Sequence, residues 1–226
     1  MNIPKLFSRA ATGTGLLAIL SNASAQKSWD APHIVTTYCS GCHGIDGNAE
    51  LPYFPKLAGL DPAYAEKKLA AFEEVSPPTD ELFYAIGKLV SAKSDAGNVT
   101  RQERINMEGV AHAAKPEVIK EAVLWYAKQT SAPGHSANKT LVAEGKELYM
   151  KGVPAQKVLP CITCHGPDAR GKASAPRLAG QNAEYIESQL AKFRRGDRRH
   201  APEMTMVTRD LDDEQARAAA AYLQSQ

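Results

Sequence analysis

The sequence predicts an all-α chain built as two tandem domains, each a few short helices gathered around one copy of the same motif. Three observations carry that expectation. Apolar residues recur at helical spacing in several segments, and no run alternates apolar and polar residues as a half-buried strand would. The pattern Cys-x-x-Cys-His occurs twice, at 39–43 and 161–165. The chain also repeats itself around these motifs: Cys39, Cys42, His43, Gly44 and Asp46 recur 122 residues later as Cys161, Cys164, His165, Gly166 and Asp168. After a slip of one residue, Pro55-Lys56-Leu57-Ala58-Gly59 recurs as Pro176-Arg177-Leu178-Ala179-Gly180, and Tyr64, Leu69 and Phe72 recur as Tyr185, Leu190 and Phe193. Agreement in one order over so many positions identifies a duplicated module.

Residues 1–25 have the layout of a secretory leader. Lys5 and Arg9 are followed by an apolar run through Leu16, Leu17, Ile19 and Leu20, and Ala23-Ser24-Ala25 is a cleavable small-x-small site. An uncleaved anchor is the alternative, but the run is shorter than the roughly 20 residues that span a bilayer. A mature chain of 201 residues is expected, soluble and exported, with no stable membrane span.

The first domain is then 27–130, with a helix over Pro62 to Phe72 and a closing helix from Pro116 through Val118, Ile119, Val123, Leu124 and Trp125. Residues 131–138, rich in small residues with Pro and Gly, form the linker. The second domain is 139–226. Thr140 can cap its first helix, which carries Leu141, Gly145, Leu148 and Tyr149; a middle helix spans Ala183 to Phe193, and a last helix begins near Asp212. The interval from His43 to Met107 is 64 residues, against 39 from His165 to Met204, so the first domain is enlarged over about 73–106. There Leu82, Phe83, Ile86, Leu89 and Val90 are spaced for one face of an added helix, as local packing or as a partner surface.

In each motif two thiols three positions apart suit the two vinyl groups of one haem, and the next residue offers an imidazole to the iron. Cys39, Cys42, Cys161 and Cys164 are therefore expected to bind two haem c groups covalently, with His43 and His165 on the metal. No cysteine is left for a disulfide. Zinc is the competing reading, but a structural zinc needs four ligands and each motif supplies three.

A sixth ligand that closes the iron makes an electron carrier, and an open position makes a catalyst. Met107 is the one methionine of the first domain after the leader; in the second, Met204 is favoured by its register before the last helix, with Met206 as fallback. Met150 falls in a helix and reads as core. Thioether ligation favours ferrous iron and raises the reduction potential, which suits electrons arriving from quinol-linked donors. His33, His135 and His200 read as surface residues, while His112, five residues past Met107, is an alternative ligand.

Once the leader is removed the net charge is zero, which excludes a basic nucleic-acid binder. The balance is uneven: residues 26–135 carry a formal −3 and residues 136–226 a formal +3. Arg194-Arg195-Gly196-Asp197-Arg198-Arg199-His200 is the densest basic run, fit to neutralise haem propionates, to dock an acidic partner, or simply to face solvent.

The paired CxxCHG motifs, the segments Phe54-Pro55-Lys56-Leu57-Ala58-Gly59 and Ala175-Pro176-Arg177-Leu178-Ala179-Gly180-Gln181, and the late methionines resemble the dihaem cytochromes c4 over nearly all of the mature chain. The resemblance implies two class I cytochrome c domains facing each other, with the carbonyls of Pro55 and Pro176 accepting a hydrogen bond from the axial histidine rings. Leu60 stands where the second copy has Gln181, and the arginine-rich segment has no counterpart after Phe72. The expected function is a periplasmic carrier relaying single electrons between a quinol-oxidising complex and a terminal oxidase, not an enzyme. A cytochrome subunit accepting electrons from a periplasmic dehydrogenase is the alternative, and a dihaem enzyme such as a peroxidase is a third reading that would need an open iron.

Overall fold

The computed structural model describes residues 30–73, 107–111, 114–136, 138–172 and 174–226. The leader, residues 74–106 of the enlarged segment and His112 lie outside the described residues. Among the described residues helices are the regular elements, and strand pairing is confined to isolated bridges at Val153–Val158 and Lys172–Ala175.

In the first half a π-helical turn, Val35–Cys39, runs into α1 (Ser40–His43). Gly44 ends α1 at φ +76°, a left-handed turn that a side chain would strain. Helix α2 (Pro62–Glu73) packs against α3 (Pro116–Ala127). Pro116 sits at the first position of α3, where its missing N–H would have had no helical partner. Ile34, Val35, Ile119, Ala122, Val123 and Tyr126 form the core of this half.

The second half starts with α4 (Lys139–Lys151). Its cap is Asn138, not Thr140: Asn138 is extended and its side chain accepts the Leu141 N–H at 3.1 Å, so the helix begins before Thr140. Helix α5 (Ile162–His165) carries the second motif, followed by α6 (Ala183–Arg194). A short α7 (Pro202–Thr208), which the apolar pattern did not announce, holds both Met204 and Met206. Helix α8 (Asp213–Gln224) opens with a capping box between Asp212 and Gln215.

Helix α8 packs on α4 and α6, and its alanines allow close approach. A Cβ on Gly145 of α4 would lie 1.9 Å from the Ala218 carbonyl oxygen, so only glycine fits that crossing. Tyr149, Ile186, Ala220, Tyr222 and Leu223 bury together there. Met150 turns outward from α4 and is 40% exposed, so it is not core. No described helix is long and apolar enough to cross a membrane.

Candidate haem sites

Each motif is placed by the same backbone device. The chain after the histidine turns back so that Gly47 accepts the N–H groups of Leu57 and Ala58 through its carbonyl at 2.7 and 3.1 Å. Ala169 does the same for Leu178 and Ala179 at 2.8 and 2.9 Å. Both residues have positive φ; a Cβ on Gly47 would stand 2.6 Å from the Ala58 nitrogen, whereas the second copy holds an alanine in that conformation. This turn brings Pro55 over His43 and Pro176 over His165.

His43 and His165 are buried, and their Nδ1 atoms lie 2.9 Å from the Pro55 carbonyl oxygen and 3.0 Å from that of Pro176. A carbonyl can only accept, so the proton sits on Nδ1 and the lone pair is left on Nε2. Burial pushes both rings below the ordinary histidine pKa, opposed in part by those hydrogen bonds, which keeps them neutral. Cys39, Cys42 and Cys161 are half-buried and Cys164 is exposed, and none pairs in a disulfide. Burial pushes the Cys39 and Cys161 thiols up to about 11.

Two paired thiols beside a neutral, oriented imidazole fit one haem at each motif, with sulfurs for covalent attachment and Nε2 as iron donor. Among the described residues no three His, Cys, Asp or Glu side chains converge as a metal-binding group.

The sequence reading missed how the residue after each histidine is tied down. Tyr126 of α3 donates its hydroxyl proton to the Gly44 carbonyl at 3.0 Å, and Trp125 donates Nε1–H to that of Ile45 at 2.7 Å. In the second half Tyr149 of α4 donates to the corresponding Gly166 carbonyl at 2.5 Å. One carbonyl is thus satisfied in both copies, from the closing helix in one and the leading helix in the other, so alignment of the repeats could not reveal it.

Met107 opens the helical residues 107–111 and is half-buried. In α7, Met204 is half-buried while Met206 is 70% exposed. Arginines of the basic run are largely engaged within the chain. Arg194 donates to the Leu211 carbonyl at 2.6 Å and pairs with Asp213, Arg195 pairs with Asp197 at 2.9 Å, and Arg198 lies over the Phe193 ring at 4.3 Å. Arg198 also reaches across to the Tyr64 hydroxyl at 3.5 Å.

Other contacts tie the linker to each half. The Ala132 N–H donates to Asn48 Oδ1 at 2.7 Å, Lys56 Nζ donates to the Ala132 carbonyl at 3.3 Å, and the Gln224 amide donates to the His135 carbonyl. Lys56 and Arg177, which correspond in the repeat, lie near each other; burial and mutual repulsion lower the pKa of Lys56.

The model of the cytochrome c family matches residues 142–226. Cytochrome c4 of Thiocapsa roseopersicina is 30% identical over 82% of this chain and 85% of its own length. A thiosulfate dehydrogenase electron acceptor of Stutzerimonas stutzeri (strain A1501) is 30% identical over 92% of this chain and 91% of its own. The solved structure of cytochrome c4 from Acidithiobacillus ferrooxidans superposes with a TM-score of 0.65 at 28% identity, covering 83% of this chain and 98% of that one.

Proposed function

The chain belongs to the dihaem cytochrome c4 family, two class I cytochrome c domains in tandem carrying two haem c groups and transferring electrons, and from that premise we propose how its residues do so and for whom. Each haem, when bound, supplies an iron that gains and loses one electron. Cys39 and Cys42 would hold one haem and Cys161 and Cys164 the other, with His43, His165, Met107 and Met204 as the side chains that would bind the irons. The domains are 27–130 and 139–226, joined by 131–138.

The observation that carries this reading is the pair of buried histidines whose Nδ1 protons go to Pro55 and Pro176, leaving Nε2 on each as a fixed donor. That contact would make the imidazole a stronger iron ligand and hold the orientation of its ring. Met204 is preferred to Met206 because it is half-buried, whereas Met206 is 70% exposed. With a methionine available in each half, neither iron needs an open position, which argues against a peroxidase.

The protein is proposed to act in the periplasm after removal of residues 1–25, relaying single electrons from a quinol-oxidising complex to a terminal oxidase. A second reading, a subunit accepting electrons from a periplasmic dehydrogenase, is supported by the 30% identity to the thiosulfate dehydrogenase electron acceptor.

The oxidised protein is expected to show a sulfur-to-iron charge-transfer band from both haems. Met107→Ala should remove it from one and Met204→Ala from the other, with a fall in that haem's potential. A high-spin spectrum in the unaltered protein, or an unchanged spectrum in Met204→Ala, refutes the ligand assignment. Stoichiometric co-purification with a flavin, quinone or molybdenum subunit would replace the free carrier with the dehydrogenase subunit.

A further inference from the structure

One peptide unit beside the first haem motif is held from the other half of the molecule. The carbonyl of Pro55 and the N–H of Lys56 are the two ends of one planar amide. His43 donates its Nδ1–H to the carbonyl end at 2.9 Å, and the N–H end donates to Gln181 Oε1 at 2.8 Å. Gln181 Nε2 donates back to the Lys56 carbonyl at 3.0 Å, so the two contacts fix which end of the side-chain amide is oxygen. The same Oε1 also accepts the Asn182 N–H at 3.0 Å. Asn182 Nδ2 in turn donates to the Phe54 carbonyl at 3.0 Å, with longer approaches of 3.4 Å to the carbonyls of Ala49 and Leu51. Consecutive residues of the second half therefore grip the peptides before, at and after Pro55. Gln181 is only 9% exposed, so water competes weakly for these bonds.

We propose that Gln181 is a positioning residue for the iron ligand of the opposite half: through the Pro55–Lys56 peptide it strengthens the hydrogen bond to His43 and so lowers the reduction potential of the first haem. The inference rests on the assignment of His43 to the iron. An amide whose N–H is engaged is polarised, and its carbonyl becomes a better acceptor. A stronger pull on Nδ1–H moves electron density to Nε2, which favours ferric over ferrous iron. The relay runs one way. The position corresponding to Gln181 in the first copy is Leu60, which has no polar atom to engage the N–H of Arg177. The second half thus biases the first haem, and among the described residues no side chain of the first half makes the matching bond to the Arg177 N–H.

The test is a redox titration of the intact two-haem protein, with the two haems told apart by paramagnetic NMR contacts to Gly41 or to Ile162. Gln181→Met keeps the length and loses the acceptor; it is expected to shift the electron's partition toward the first haem by roughly two- to fourfold while the second haem's wave stays in place. Solvent exchange of the His43 Nδ1 proton should quicken in the same variant. Gln181→Glu keeps an acceptor for the Lys56 N–H and should not raise the first haem's potential. An unmoved first wave, a joint shift of both waves, or a rise in Gln181→Glu equal to that in Gln181→Met overturns the proposal. His43→Met separates the two levels. If it alters the first haem's spectrum while Gln181→Met changes nothing, the relay alone falls; if it alters nothing, the ligand assignment falls and the relay with it.

Discussion

At the scale of single residues, the site depends on backbone carbonyls that side chains must satisfy. Tyr149 is fully buried and its hydroxyl is the donor to the Gly166 carbonyl, directly after His165. Tyr149→Phe removes the donor and keeps the ring, leaving the buried Gly166 carbonyl with only the longer bond from the Ala169 N–H at 3.3 Å. The expected loss is about 0.5 to 1.5 kcal/mol, seen as a fall in the thermal midpoint of the holoprotein, with the second haem's spectrum retained at room temperature. An unchanged midpoint would mean that the Ala169 N–H alone satisfies this carbonyl. The neutral, Nδ1-protonated histidines belong to the same scale: a ring buried and aimed by one proline carbonyl has a single tautomer to offer an iron.

At the scale of elements, helix crossings set the distances within which the haem-binding segments are held. Helices α4 and α8 approach so closely at Gly145 that any Cβ would overlap the Ala218 backbone. Gly145→Ala must therefore push α8 outward. Overpacking costs typically about 1–3 kcal/mol, and a clash with backbone rather than a flexible side chain belongs at the upper end. Reduced accumulation of the variant and a thermal midpoint several degrees lower are expected; a midpoint equal to that of the parent would show that the crossing relaxes. Helix α7 works differently. Its start at Pro202 and its phase leave Met204 half-buried and Met206 outside, a distinction that two residues of spacing decide.

At the scale of the whole molecule, the halves are joined by polar bonds from Gln181 and Asn182 to the backbone around Pro55, while Asn48 and Lys56 tie the first half to the linker at Ala132. Gln181→Ala with Asn182→Ala should loosen this arrangement without unfolding either half: the small-angle scattering radius of gyration rises while the helical circular dichroism is kept. An unchanged radius would place the interdomain hold elsewhere. The all-α class, the duplication and the two haems were legible in the sequence, because the Cys-x-x-Cys-His chemistry is local and the repeat keeps its order. Helix starts were legible where the cap lies beside the apolar pattern, as at Asp212, and were misplaced at α4, where Asn138 captures the N–H of Leu141. The tyrosine bonds to Gly44 and Gly166 were not legible, since their donors come from different helices in the two copies. Nor was the role of Gln181: the sequence marks it as a departure from Leu60, but its partners lie 125 residues away. By itself the sequence determined what is covalent and local, the attachment motifs and the helical pattern. Only the tertiary structure decided which buried carbonyls and N–H groups meet across the two halves, because that pairing depends on how separate helices pack and not on spacing along the chain.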